Sequence, residues 1–263
     1  MTIIITGASA GIGFALAEFF GKKGHQVFGL SRKPANSDLF KTILTDITDN
    51  QQVQAAVSKI LETEKHIDVL INNAGMGMVG AVEDSTQDEI LRLFNLNLVG
   101  SVQMMTAVLP TMRKYNAGKI INISSIGSEM GLPFRGFYSA SKSALDKVTE
   151  AIRYEVAPWN IEVCTLHLGD IKTKIAENRV KTKVSDPYQK TFSKVYELMN
   201  AHVEDGTEPA EVAIYIEKLL TKKSWKAHYY FGKFGQKIGV PLKWVLPQNV
   251  YEKLMKKYNN LDS

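Results

Sequence analysis

Tyr138 and Lys142 stand four residues apart in Tyr-Ser-Ala-Ser-Lys, a spacing that puts both side chains on one helix face, one turn apart. A phenol titrates near 10, so making its oxyanion accessible at neutral pH needs an adjacent cation; lowering its pKa to about 7 would take about 4 kcal/mol. The Lys142 ammonium could provide that field. Ser125, thirteen residues before Tyr138 at the end of an apolar run, could donate a hydrogen bond to the oxygen of a reacting carbonyl. Taken singly these are ordinary residues: a solvated helix face and a turn-forming serine.

A dinucleotide cradle for such a site is suggested by residues 1–14. Ile3-Ile4-Ile5 meets Thr6-Gly7-Ala8-Ser9-Ala10-Gly11-Ile12-Gly13 and then a helical pattern, which reads as strand, glycine turn and helix N-terminus. Glycines at 7, 11 and 13 let the backbone approach a pyrophosphate, and the free N–H groups of a helix beginning near Gly11 would face the anion.

The remaining elements alternate. Residues 26–31, 41–45, 67–71, 119–124 and 161–168 read as further strands, each short and bounded by turn residues, with a last strand at 227–231. Between them apolar residues recur at helical spacing over 14–23, 50–65, 86–115 and 138–155, the third interrupted near Asn97 and Pro110. With the first strand this makes seven, in a parallel sheet covered by helices on both faces: one doubly wound α/β domain spanning residues 1–263. The pattern lapses over 169–208. There Phe192, Val195, Tyr196, Met199 and Val203 share one helical face, either as a substrate lid or as a helix packed permanently on the domain.

Composition narrows the alternatives. With 263 residues and 44% hydrophobic content, one large core is expected. No run approaches the roughly 18 apolar residues of a membrane span, and a strand from residue 2 leaves no room for a signal peptide, so a cytoplasmic protein is expected. Cys164 is the lone cysteine and the five histidines show no paired ligand spacing, so no metal is expected, and His167 reads as strand-end structure. The net charge of +5 concentrates in 172–197 and 233–263, each a local +4, without any nucleic-acid-binding signature. Nucleic acid is therefore not expected as a partner. The sequon at Asn122 falls in a strand expected to be buried and reads as chance.

In combination these motifs resemble the short-chain dehydrogenase/reductase family over residues 1 to about 173. Thr6-Gly7-x-x-x-Gly11-Ile12-Gly13 looks like its cofactor turn, Asn72-Asn73-Ala74-Gly75 like its strand-four motif and Asn97-Leu98-Val99-Gly100 like the segment bearing its asparagine; Ser125 and Tyr138-Ser-Ala-Ser-Lys142 complete the set. The resemblance implies a Rossmann-type fold that transfers hydride between a nicotinamide dinucleotide and a carbonyl or secondary alcohol. It makes Tyr138 the general acid/base, has Lys142 tune it and hold the ribose, has Ser125 orient the substrate oxygen and has Asn97 anchor a water relay. Gly7, Ser9, Gly11, Ile12 and Gly13 would form the cofactor turn, Asp46 and Ile47 hold the adenine, and Asn73, Ala74 and Gly75 line the adenosine side. Gly169, Ile171 and Thr173 keep their family places near the carboxamide. Leu168 departs from the usual proline, which frees one φ angle and implies a less rigid turn. A homodimer or homotetramer is the family's usual state.

Strand two ends in Leu30-Ser31-Arg32-Lys33, without an acid to accept from a ribose 2′-OH, so Arg32 points to the 2′-phosphate and to NADP(H). The family's second basic position in the glycine turn is Ala10 here. The expected function is thus NADP(H)-dependent oxidoreduction of a small carbonyl or alcohol substrate. A 3-oxoacyl-thioester reductase is the alternative within the class, and a non-catalytic NADPH-binding sensor or scaffold the one outside it. The extension 233–263 should form a helix after Pro247 with Val250, Tyr251, Leu254, Met255 and Tyr258 on one face. Three readings compete for that face: packing on the substrate cleft or a subunit neighbour, docking on an anionic membrane helped by Lys243 and Trp244, and a disordered tag, which the aromatic content disfavours; the tail is expected to cover part of the pocket.

Overall fold

The first strand sets the architecture. In β1 (Thr2–Thr6) every residue is buried, with Ile3 and Ile5 in one apolar cluster and Ile4 in another, as period-2 alternation demands of a strand covered on both faces. The computed structural model describes residues 1–173 and 179–261; residues 174–178 of the insert and 262–263 of the extension lie outside them. The other strands of the main sheet are β2 (Gln26–Ser31), β3 (Lys41–Leu44), β4 (Val69–Asn72), β6 (Gly118–Ser125), β7 (Ile161–Leu168) and β9 (His228–Phe231). All seven pair in parallel, in the order β3-β2-β1-β4-β6-β7-β9. The order reverses between β1 and β4, and a crevice opens there at the carboxyl ends of the strands.

One face of the sheet carries α1 (Gly11–Lys22) and α7 (Pro209–Leu220), with Leu16, Phe20, Val212 and Ile216 packed on Ile3, Ile5, Ile121 and Cys164. The other carries α2 (Asn50–Leu61), α3 (Gln87–Phe94), α4 (Ser101–Lys114) and α5 (Gly136–Val156). Asp49 caps α2 by accepting from the N–H groups of Gln51 and Gln52, and Thr86 with Glu89 forms a capping box on α3. Burial removes Cys164 from solvent and pushes its thiol well above the usual range. Asn122 is also buried, bonded to Asn72 and Thr149, out of reach of glycosylation.

Two expectations about the third helical stretch change. At Asn95–Gly100 the helix widens into a π-helical turn, so the break near Asn97 is real. Pro110 makes no break: it lies inside α4 on the solvent side, where water can bond the Thr106 carbonyl that the proline leaves unpaired. The run Gln87–Lys114 is also long and apolar enough to cross a membrane by length and composition, contrary to the count of contiguous apolar residues. It instead serves the core, with Met104, Met105, Val108 and Met112 buried beneath the sheet.

Beyond β7 the regular alternation lapses, as the sequence pattern does. A two-residue strand β8 (Val180–Lys181) pairs with β5 (Met78–Val79), a small sheet with too few residues to leave a periodic trace. Then α6 (Asp186–Glu204) buries Phe192, Val195, Met199 and Val203, the expected apolar face, with Tyr196 half-buried beside them. After β9 come α8 (Phe234–Val245), which the sequence pattern did not reveal, and α9 (Gln248–Tyr258). In α9 only Tyr251 and Met255 of the anticipated face turn inward; Val250, Leu254 and Tyr258 are exposed.

Candidate active site

The glycine turn is built to bring three segments together. The Thr6 hydroxyl accepts from the backbone N–H groups of Asn73 and Ala74, both at 2.9 Å, and Asn73 Nδ2 donates to the Thr6 carbonyl at 2.9 Å. These bonds tie β1 to the end of β4 across the crevice. Gly13 packs so closely there that a Cβ would meet the Gly7 carbonyl and stand 2.5 Å from Asn73 Nδ2. Gly11 has φ +56°, in the left-handed region, and a Cβ on it would lie 3.5 Å from Thr173. At the N-terminus of α1, Ala10 offers no side chain to cap the first N–H groups.

That arrangement fits a dinucleotide: uncapped helix donors and an open glycine backbone for the pyrophosphate, with exposed Arg32 at the end of β2 making no ion pair among the described residues. Ser9 and Ile12 flank the turn, half-buried. Asp46 Oδ1 accepts from the N–H and hydroxyl of Thr48. Ile47 turns its side chain into the core beside Gly100, leaving only its backbone to a ligand. Asn73 is likewise committed beneath the turn. Thr6 itself is a site residue that sequence reasoning passed over, although it opens the motif.

On α5 the side chains of Tyr138, Lys142 and Asp146 follow one another at intervals of four, and Lys142 and Asp146 are buried. The Ser125 hydroxyl is close enough to Tyr138 to lower the phenol's pKa, and its Oγ accepts from the Gly127 N–H at 3.0 Å. Lys142 Nζ donates to the Ile123 carbonyl at 2.9 Å, and desolvation lowers its pKa to about 8 against the opposing field of Asp146. Asn97 is fully buried. Its Oδ1 accepts from the Met76 N–H at 2.8 Å, and its Nδ2 donates to the Met76 carbonyl and to Ser141 Oγ, each at 3.0 Å. Its side chain therefore pins the β4 loop to α5, and a water relay would have to use its backbone carbonyl, where the Ser101 hydroxyl lies at 3.3 Å. Gly75 fills the gap: a Cβ there would stand 3.2 Å from Asn97 Oδ1 and 3.4 Å from Lys142 Nζ.

The expected tuning of Tyr138 by Lys142 takes a different form. Burial raises the phenol's pKa; the nearby Ser125 hydroxyl, then the charges of Arg135 and Arg179, oppose the rise, while Lys142 is held by Ile123. Arg135, at the N-cap of α5, carries a buried Nε without a hydrogen-bond partner, and burial lowers its own pKa. Arg179 follows the β5 loop, its Cγ 2.8 Å from where a Cβ on Gly77 would be, and its Nη1 donates to Asn200 Oδ1 at 2.8 Å. Arg135 stands three residues before Tyr138, a spacing that could have flagged it. Arg179, forty-one residues further on, gave no local signal.

The chain passes close to the site again after β7. The Gly169 N–H donates to the Phe231 carbonyl at 2.8 Å, and the Gln236 side chain of α8 packs on Gly169, accepts from the Asp170 N–H at 3.3 Å and donates to the Asp170 carboxylate. Ile171 is buried and bridges to Thr207. The turn expected to loosen without its proline is thus clamped by the C-terminal extension. Beneath it His167 is buried, 3.1 Å from Ser128 Oγ and 3.1 Å from His228 Nδ1, and burial lowers its pKa.

Residues 1–184 match the family model described as short chain dehydrogenase. The chain belongs to that family. A 3-ketodihydrosphingosine reductase from Bacteroides thetaiotaomicron is 39% identical over 254 residues, covering 95% of this chain and 94% of the relative. The crystal structure of a short-chain dehydrogenase from Streptomyces avermitilis superposes with a TM-score of 0.84 at 26% identity, covering 99% and 97% of the two chains. ElxO with NADP bound superposes at 0.71 with 25% identity, covering 86% and 94%. As a short chain dehydrogenase, the protein is an oxidoreductase that uses a nicotinamide cofactor on small-molecule substrates bearing CH–OH or carbonyl groups. In this short chain dehydrogenase the segment Asn73-Ala74-Gly75 links the two halves of the site: Asn73 and Ala74 bond to Thr6 of the glycine turn, and Gly75 packs close to Lys142 Nζ.

Proposed function

We propose that the protein is an NADP(H)-dependent reductase of a ketone carried on a long-chain amphiphile, with Tyr138 as proton donor. The observation that carries the reading is Tyr138 on α5 beside the Ser125 hydroxyl, one helical turn from buried Lys142, whose Nζ donates to the Ile123 carbonyl. The nicotinamide, when bound, supplies hydride. Ser125 and Tyr138 would together hold the carbonyl oxygen, and Tyr138 would give it a proton as negative charge develops. A phenol whose pKa is raised by burial stays protonated at neutral pH, the form that reduction requires. Lys142, near pKa 8, can exchange protons in the same range. A sensor or scaffold would have no use for this complete set.

The apolar surroundings support an amphiphile. Val79, Val184, Phe192 and Met199 cluster with Phe134, Tyr188 and Tyr196 beside the insert, and Ile126, Met130, Leu132 and Val240 with Tyr230 and Met255 beside the extension. The Bacteroides relative acts on 3-ketodihydrosphingosine, a long-chain amino-alcohol ketone. NADPH consumption with that ketone, and little with short ketones, is the expected outcome of a spectrophotometric screen. A 3-oxoacyl thioester is the second reading, favoured by exposed Lys183, Lys190 and Lys194 as a dock for an anionic carrier. Turnover restricted to the thioester and suppressed by salt would replace the first reading with it.

Two variants probe the details. Arg32→Ala should erase most of the preference for NADP(H) over NAD(H), about ten- to a hundredfold, because a charge-assisted bond contributes roughly 1.5–3 kcal/mol. Equal use of both cofactors by the wild type would remove the basis for that assignment. Arg135→Gln should move the alkaline limb of the kcat–pH profile for reduction to higher pH. Removing a cation near Tyr138 raises the phenol's pKa further, so the proton donor survives into more basic solution. A limb that stays put or moves down would show that Arg135 does not act on Tyr138.

A further inference from the structure

We infer that the helix pair α8–α9 docks the protein on an anionic lipid bilayer. On α8, Phe234, Ile238, Pro241 and Val245 follow at intervals of four, three and four and so form one stripe, and it faces water: Phe234 is 75% exposed, Ile238 41% and Val245 78%. Trp244, 76% exposed, flanks the stripe. On α9, Val250 and Leu254, one turn apart, are 41% and 46% exposed. The opposite faces are already occupied. Val240 and Met255 pack on Ile126, Met130 and Leu132, and the Tyr251 hydroxyl donates to Met130 Sδ at 3.4 Å, so the apolar stripes cannot be the inner side of a misread helix.

Charge identifies the occupant. Residues 233–261 hold six lysines against Glu252 as their acid. Lys237, Lys253, Lys256 and Lys257 are exposed and form no ion pair among the described residues. A two-fold dimer through this face would bring two like-charged sets of lysines together, whereas an anionic headgroup layer attracts every one of them. A lysine near such a surface contributes about fivefold in partition, and exposed tryptophan suits the interface between headgroups and acyl chains. The inner face bonds to the active site through Gln236, Asp170 and Gly169, so docking would bring the mouth of the crevice to the bilayer. That last consequence, delivery of an amphiphilic ketone from the membrane, rests on the proposed function; the docking itself does not.

The test is sedimentation of the full chain with phosphatidylcholine vesicles, with and without phosphatidylglycerol. Binding to the anionic vesicles that weakens with salt is expected, with a drop of about tenfold or more in the double variant Phe234→Ser/Val245→Ser and again in Lys253→Glu/Lys256→Glu/Lys257→Glu. Circular dichroism and thermal unfolding of the variants establish that these exposed substitutions leave the fold intact. Absence of vesicle binding, binding unchanged in both variants, or a lipid-free dimer that Phe234→Ser/Val245→Ser dissociates would overturn the proposal. None of these readouts involves turnover, so failure of the ketone screen and failure of docking are separately visible.

Discussion

Tyr138→Phe is expected to reduce kcat by about a hundredfold to ten-thousandfold while leaving the dissociation constant for NADPH within about threefold of wild type, the span general acid catalysis typically supplies. The substitution removes one hydroxyl. The ring remains to fill its place on α5, and the glycine turn, held by Thr6, Asn73 and Ala74, is untouched. Ser125 keeps the Gly127 N–H, so the hydroxyl proposed to hold the carbonyl stays in position. Steady-state kinetics with cofactor fluorescence titration separates the two effects. Activity above a tenth of wild type would mean that another group gives the proton, with Lys142 the first candidate.

How much of this is legible in the sequence depends on the range over which each feature is determined. The glycine turn, the strands and the α5 spacing are local: Ile3-Ile4-Ile5 alternates between two clusters, and Tyr138 and Lys142 share a face because a helix has 3.6 residues per turn. The extension is harder to read because α8 contains Gly235, Gly239 and Pro241, which weaken a helical pattern, while its stability comes from Val240 on Met130 and Gln236 on Asp170, partners more than sixty residues away. The same contacts replace the rigidity that Leu168 is expected to forfeit. Pro110 reads as a stop although its face of α4 points to water, and burial pattern rather than propensity decides that case. Electrostatics is least accessible: the sequence places a cation four residues from Tyr138, but the fold brings Arg179 from the insert to share that task with Arg135.

Lys142 gives the second large effect, with opposite signs for stability and activity. Its pKa falls from 10.5 to about 8 on folding, so the folded state disfavours the ammonium. Between pH 8 and 10.5 the unfolded chain binds more protons, and stability rises with pH; below about 8 the full penalty applies, about 3 kcal/mol. Lys142→Met removes that penalty and leaves the Ile123 carbonyl without its partner, which costs about 1 kcal/mol. Asp146, whose own pKa burial already raises, can respond to the missing cation by staying protonated. The variant should therefore unfold about 4–8 °C higher than wild type at pH 7, from a net gain of about 2 kcal/mol, and lose that advantage above pH 10.5. Turnover should fall at least about a hundredfold, with weaker cofactor binding if Lys142 holds the ribose as the resemblance implies. Calorimetry at pH 7 and 10.5 beside kinetics decides it: a variant less stable than wild type at pH 7 would show that the ammonium is an ordinary structural contact. A buried cation retained at a net cost to folding is what a site kept for proton transfer and cofactor binding would hold.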